Sequence, residues 1–551
     1  MKTRPYLLLT SLMAALLSGC EDDKFLDTKP LNAITAESVF SDPSLARASL
    51  LTIYGGIPKV FGRQGGIPLD MNTRDAAHSF PWGFVNNLRG NNYNAANADL
   101  IIQSFWSGNY TLIRQANTFL EGLDAAPFSE ETKTTLSAEA RFLRALFYLE
   151  LYRFYRGVPL ITQAQNLSDP QAFGVKRNTA DETVTFIAEE FTRAAADLPA
   201  QWTGNDRGRA TKGAALGMKA RALLYAASLR NDADLFRQAA EAAKAVIDLN
   251  QYALHPDYAN MFFDKSTANR EFIFYFNKTP SNAATYGSAI RGSQDWADWG
   301  LTNAPVSGGA WGGAMPSQNL VDEFELTDGK RPAESSLYNP QEPYENRDPR
   351  FYASIYYQGN TFKGVPLEFY EGGKDFNVNG FTTSGYFIRK GIDESIPDWY
   401  AYASAPQSYF DPLLRYADVL LMYAEAQNEL GNPEEARTYV NQVRARPGVN
   451  MPALPAGLSQ ELMREHIRHE RHIELVFEES RFHDVRRWGI APQVSAGPVY
   501  GAKITRNSNG SFTFGRQVLE TRVFEEKYNL FPIPQDELNK NTALAPNNPG
   551  F

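Results

Sequence analysis

Residues 413–445, LLRYADVLLMYAEAQNELGNPEEARTYVNQVRA, read as two helices closed by a turn. The first ends at Gly431, and Asn432 and Pro433 break the chain before the second, because glycine and asparagine accept left-handed backbone and proline fits the first position of a new helix. Glu434 and Glu435 then fall in the first turn of the second helix, where negative charge suits the positive end of the helix dipole. Arg415 and Asp418 stand one turn apart in an otherwise apolar first helix, a spacing that predicts an internal ion pair with a structural role.

The same design occurs far upstream, where ARALLYAASLRNDADLFRQAAEAAKAVIDL, residues 220–249, passes through a short polar turn into another helix. Both units resemble tetratricopeptide repeats, the upstream one as a looser copy. Such hairpins bury their faces only by stacking on one another. Leu136, Ala140, Leu143, Phe147, Leu151 and Phe154 trace one face of a further helix that opens near Ser129 and stops at Gly157 and Pro159, and shorter helices are predicted over 181–198 and 212–229. Blocks 30–255 and 410–490 are therefore expected to form one helical scaffold. Between them, residues 256–410 are richer in Gly, Asn, Tyr, Ser and Pro, and EFIFYFN at 271–277 reads as a short strand. The expected fold is mostly α: a tetratricopeptide-like scaffold, with 20–255 and 410–551 mainly helical, and a long loop-rich insert, 256–410, containing short strands. Residues 20–551 make a single domain.

At the other end of the chain, LLSGCEDDKFLDTKP, residues 16–30, holds the only cysteine of 551 residues. Lys2 and Arg4 precede an apolar run from Tyr6 to Leu17, the pattern of a signal peptide, predicted here over residues 1–19. Leu17-Ser18-Gly19-Cys20 resembles a bacterial lipobox, so Cys20 is expected to be the lipidated N-terminus of the mature protein. Several acyl chains on one residue make a stable anchor, since each buried methylene adds about 0.8 kcal/mol. Glu21-Asp22-Asp23 resembles the signal that sends lipoproteins of Bacteroidetes to the cell surface. Removal of residues 1–19, which carry Lys2 and Arg4 and no acid, takes the net charge from −9 to −11. So acidic a chain is a poor partner for nucleic acid.

Several stretches together resemble the SusD/RagB family, surface lipoproteins that capture nutrients for an outer-membrane transporter. They are FLDTKP after Cys20, AEARFLRALFYLELYRFYRGVPL at 138–160, LLRYADVLLMYAEAQNEL at 413–430, IRHERHIELVFEESRFHDVRRW at 467–488 and the closing LFPIPQDELNKNTALAPNNPGF. The resemblance implies a tetratricopeptide-like scaffold with loops carrying the ligand site, no catalysis, and a SusC-like TonB-dependent barrel as partner. Two departures lie in scaffold motifs. Members commonly have a glycine where Glu479-Ser480 follows Phe477-Glu478, and a glutamine near Pro546.

Chemical motifs are few. His466, His469 and His472 are spaced by three, so on a helix the first and third point about 120° apart and do not converge on one ion. No zinc-ligand spacing appears, and no cofactor is expected, with a structural calcium ion left open. VSGGAWGGAMPS, residues 306–317, lacks the Gly-Lys-Ser/Thr ending of a phosphate loop. A glycan site needs aromatic rings as platforms for C–H faces and polar groups for hydroxyl edges. Trp82 meets this description in the asparagine-rich PWGFVNNLRGNNYN, with Asp70 and Asp75 upstream. By analogy with the regions the family uses, the candidate ligand residues are Trp82, Asp70, Asp75, Trp296, Trp299, Trp311, Trp399, Tyr400 and Arg389. The alternative for each tryptophan is core packing, assigned to Trp106 and Trp488, and for each aspartate a solvated loop carboxylate.

The expected function is therefore a lipid-anchored outer-membrane surface protein that binds a glycan and delivers it to the transporter. Peptide capture, glycoside hydrolysis and a ligand-free plug for the barrel are the alternatives. A hydrolase needs two carboxyl groups facing each other across the scissile bond, and no spacing in the sequence singles out such a pair.

Overall fold

The computed structural model describes residues 36–58, 69–77, 90–97, 100–166, 168, 174–278, 315–376, 382–391, 394 and 409–551. Ten helices carry the scaffold: α1 Pro43–Tyr54, α2 Leu100–Asp124, α3 Glu130–Tyr155, α4 Ala180–Asp197, α5 Lys212–Arg230, α6 Ala233–Asp248, α7 Tyr416–Glu429, α8 Pro433–Arg444, α9 Gln460–Glu474 and α10 Ser480–Arg487. Their ends are where the local chemistry puts them. The Ser129 side chain caps α3, Thr179 and Glu182 form a reciprocal capping box on α4, and Asp232 caps α6 after the left-handed Asn231. Each such cap satisfies backbone donors that have no partner inside the helix.

Helices α2 to α6 pack in sequence order, and α6 then packs on α7 although the whole insert lies between them in the chain. Helix α7 contacts both α8 and α9, so the two helical blocks make one scaffold. Small residues permit the close approaches: Gly217 of α5 faces Leu414 so closely that a β-carbon there would collide with it. Phe142 is fully buried, with ring centroids 5.5 Å from Phe191 on α4 and 4.8 Å from Phe274 in the insert. Burying one such ring contributes about 1.5–3 kcal/mol, here shared between scaffold and insert.

The strands are short and antiparallel: β1 Ala76–Ala77 with β3 Met315–Pro316, β2 Phe272–Lys278 with β8 Tyr409–Arg415, β4 Ile355–Tyr356 with β7 Phe387–Ile388, and β5 Thr361–Phe362 with β6 Val365–Pro366. The predicted strand at 271–277 is thus present. Its partner corrects the reading of Leu413–Arg415 as helix, because backbone pairing of Phe272 with Arg415 holds those residues extended and α7 starts at Tyr416. Arg415 and Asp418 consequently do not pair with each other. Arg415 binds Glu271, Glu474 and Glu478, whereas Asp418 accepts from Arg221 at 2.6 Å and Arg471 at 2.8 Å.

A second correction concerns the C-terminal block, expected to be mainly helical. Residues 497–522 form the longest ladder among the described residues, β9 Gly497–Arg506 with β10 Phe512–Arg522. Asn507-Ser508-Asn509-Gly510 closes the hairpin, with Gly510 at φ 84°, and this turn between polar alternating runs is the signal that marks it.

Glu479, one of the two departures from the family pattern, precedes α10 with φ 59°. A side chain in left-handed backbone costs about 1 kcal/mol or somewhat more, which glycine avoids. Glu479→Gly is expected to raise the denaturant midpoint, a gain of about 1 kcal/mol. A lower midpoint would mean that the Glu479 side chain contributes more than the strain costs.

Candidate functional site

Segment 69–77 is the floor from which the asparagine-rich stretch continues, and four neighbours hold it. Asp70 is buried, its Oδ2 accepting from the Glu479 N–H at 3.0 Å and its Oδ1 from the Phe482 N–H at 3.1 Å. It thereby satisfies the orphan donors at the start of α10. Burial pushes the Asp70 carboxyl well above its ordinary range, against the lowering by the Phe482 N–H. Asp75 is also buried, and His472 Nε2 on α9 lies 2.8 Å from its Oδ2. Burial again acts upward there, but His472 and then Arg481 hold the Asp75 carboxyl below its usual value.

From the opposite side Arg522, the last residue of β10, donates to the carbonyls of Met71 at 2.8 Å, Thr73, and Ala76 at 2.7 Å. Ser317 closes the floor, its N–H donating to the Asp75 carbonyl at 2.9 Å and its hydroxyl to that of Arg74 at 2.6 Å.

The strand pairs then gather the loop segments. Ala77 pairs with Met315, so segment 78–89 leaves the floor where segment 279–314 arrives. Strand β7, beside β3, leads towards residues 392–408. At the far end Lys278 pairs with Tyr409, so segment 279–314 departs where segment 395–408 returns. Three stretches remote in sequence are thus flanked by the strand pairs β1–β3 and β2–β8 and by β7, and these stretches carry six of the nine nominated residues.

Those six, Trp82, Trp296, Trp299, Trp311, Trp399 and Tyr400, lie outside the described residues, as does Cys20. The other three are placed. Asp70 and Asp75, nominated as ligand residues with a solvated loop carboxylate as the alternative for each, are instead buried ties of the floor; closed off from solvent, they do not form the facing pair across an open cleft that glycoside hydrolysis requires. Arg389 keeps 37% of its side chain exposed; it donates to the Tyr352 carbonyl and to Glu394, both at 3.2 Å, and lies 5.1 Å from the centre of the Tyr356 ring. Of the packing tryptophans, Trp106 is buried against Tyr110 and Tyr155, and Trp488 is sandwiched by Arg468 and Arg487 while donating to Glu425.

Arg522, Arg481, Ser317 and His472 are the positioning residues that the sequence did not single out for this role, because each acts on a segment hundreds of residues away. The histidines diverge in space: His472 faces Asp75, while His469 faces Glu323 and Glu325. Among the described residues no group of three or more His, Cys, Asp or Glu could hold a metal ion.

Helical hairpins stacked on one another define a tetratricopeptide-type scaffold protein. The chain belongs to the SusD family, whose model matches residues 264–551; a second model, described as starch-binding associating with outer membrane, matches residues 24–224. SusD-like protein P2 of Formosa agariphila is 25% identical, with 97% of each chain covered, and a SusD-like protein of Bacteroides ovatus is 24% identical over 88% of this chain and 82% of its own length. Among solved structures, a SusD-like protein from Bacteroides fragilis superposes with a TM-score of 0.80 at 29% identity, covering 95% of this chain and all of its own. A SusD-like carbohydrate binding protein from the same organism gives 0.78 at 27% identity, covering 92% of this chain and all of its own.

Proposed function

We propose that this protein is a lipid-anchored surface receptor that binds a glycan on the loops rooted at β1–β3 and β2–β8, without turning it over, and passes it to a SusC-like TonB-dependent barrel. The observation that carries this reading is that the pairing of Ala77 with Met315 and of Lys278 with Tyr409 brings together the chain positions that border segments 78–89, 279–314 and 395–408. Loops on a rigid scaffold are where binding residues concentrate, and these three hold five of the eight tryptophans of the chain. Family membership and the carbohydrate-binding relative at 27% identity support the ligand class. Membrane attachment rests on the lipobox around Cys20, with the outer-membrane description of the second family model in support.

Two measurements test the reading. The mature protein is expected to bind a glycan with no release of reducing ends, and Trp82→Ala to weaken that binding at least about tenfold, the scale of one lost aromatic platform. Cys20→Ala is expected to move the protein from the membrane fraction to the soluble fraction with its glycan affinity intact. Binding confined to peptides, or catalytic release of sugar ends, would refute the proposed role.

A further inference from the structure

Ser317, which holds Arg74 and Asp75 of the floor, also starts a short helix, Gln318–Glu323, its hydroxyl accepting from the Leu320 N–H at 3.1 Å. At the far end of that helix Glu323, and Glu325 just beyond it, face His469 of α9, whose side chain is 8% exposed. Each ring nitrogen has a carboxylate of its own: Nδ1 lies 3.6 Å from Glu323 Oε2, and Nε2 lies 3.4 Å from Glu325 Oε1. Nδ1 has a second neighbour. Arg331 Nη2 is 3.2 Å from it and 3.2 Å from the same Glu323 oxygen, so arginine and imidazole compete for one carboxylate. Nε2 is buried and makes no hydrogen bond among the described residues.

A neutral imidazole has one N–H and one acceptor, whereas an imidazolium has two N–H groups and no acceptor. In the neutral form Nδ1 accepts from Arg331, which leaves Glu323 to the arginine and one N–H directed at Glu325. In the charged form Nδ1 no longer accepts, and each N–H has a carboxylate within a small shift. Burial disfavours the charge, but Glu323 and Glu325 together raise the His469 pKa above its ordinary 6.5, against Arg331. Both acids stay ionised there: burial pushes Glu325 up, yet His469 and Arg444 hold it at about 2, and His469 and His472 hold Glu323 well below its ordinary range in the same way. The other charges around His469 have their own partners. Arg444, at the end of α8, donates to Glu325 at 2.8 Å; on α9, Glu470 pairs with Arg350 and Arg444, and His472 with Asp75, which Arg481 of α10 approaches at 4.0 Å. Burial lowers the pKa of His466, one turn back.

We propose that His469 is a proton-operated latch between the scaffold and the insert. Protonated, it clamps Glu323 and Glu325 onto α9, and with them the helix that Ser317 starts. Neutral, it gives Glu323 up to Arg331, and this end of the insert loosens from α9. Ser317 stands at the floor end of that helix, so the state of the latch reaches segment 69–77. The latch is independent of the glycan reading, and no glycan enters its test.

Urea denaturation of the full mature protein in detergent, between about pH 6 and 9, follows it. The unfolded chain loses this proton first as pH rises, so the contribution is complete below about pH 6.5 and is lost as pH climbs through the raised folded-state value. The wild-type advantage over His469→Gln is therefore expected to shrink with rising pH; groups that titrate alike in both proteins, such as His466, cancel in that difference. Amide hydrogen exchange, compared between the two proteins at equal pH, is expected to show segment 69–77 more protected in the wild type at about pH 6 and no more so at about pH 9. Arg331→Gln, at a position 47% exposed, removes the competitor and is expected to move the wild-type fall to higher pH, which decides the matter if His469→Gln fails to fold. An advantage that does not change with pH, a fall that Arg331→Gln leaves in place, or equal protection of segment 69–77 in both proteins at every pH would overturn the latch.

Discussion

Glu474→Ala is expected to cost about 3–5 kcal/mol of folding stability, the scale for removing one partner of a buried ion network. Glu474 is fully buried and accepts from Arg350 at 3.0 Å and from Arg415 and Arg446 at 2.6 Å each. These three arginines come from the insert, from β8 and from just beyond α8, so the carboxylate ties the insert to both ends of the second repeat hairpin. Without it the three guanidiniums keep only Glu271, Asp348, Glu470 and Glu478 as their acids in a dry interior. Urea denaturation at pH 7 measures the loss; a change under about 1 kcal/mol would show that the neighbouring acids take over the role.

The same residue sets an acid limb of the stability profile. Burial pushes the Glu474 carboxyl upward, but Arg446, Arg415 and Arg350 hold it at about 2, below its ordinary 4.5. The unfolded chain therefore binds this proton first as pH falls, so the contribution is complete above about pH 4.5 and is lost towards pH 2. It amounts to about 3 kcal/mol. In Glu474→Ala that part of the acid dependence is expected to vanish, giving a flatter curve between pH 4.5 and 2.

Arg522→Ala carries the second large effect, directed at the candidate site. It removes the donors to the carbonyls of Met71, Thr73 and Ala76. Buried acceptors left without donors cost about 1–3 kcal/mol each, and partial relaxation of the segment brings the expected total to about 2–4 kcal/mol. Because segment 78–89 leaves from this floor, glycan affinity is expected to fall about tenfold or more together with stability, since a misplaced platform loses its complementarity. Arg516→Ala on the same hairpin is the control: Arg516 is 57% exposed and pairs with Asp322 at the surface, so it is expected to change stability by less than about 1 kcal/mol. Glycan affinity unchanged in Arg522→Ala would separate the floor from the site.

Elements whose cause is local were legible in the chain. The helix start at Ser129, the break at Gly431 to Pro433 and the strand near 271–277 each depend on residues within a few positions of one another. Leu413–Arg415 misled because its apolar run continues a helix pattern, and pairing with Phe272–Lys278 outweighs that preference. The hairpin at 497–522 went unread because its strands are polar and its only strong mark is the turn at 507–510. Asp70 and Asp75 read as outward-facing groups in the sequence, because a carboxylate just upstream of an asparagine-rich stretch reads as exposed until the helix start and the histidine that bury it are known.

The charged motif IRHERHIELVFEESRFHDVRRW shows the division most clearly. By itself the sequence determined that this chain is a helical-repeat scaffold with a loop-rich insert, since periodicity, caps and breakers act through neighbours in the chain. It did not say that Glu470, Arg471, His472 and Glu474 of that motif are buried, nor that each is partnered by a residue of another segment. Only the tertiary structure decided that, and with it which remote residues tie down segment 69–77. Ion pairing and strand pairing depend on distance in space, and that distance is set only when the two helical blocks close on each other across the insert.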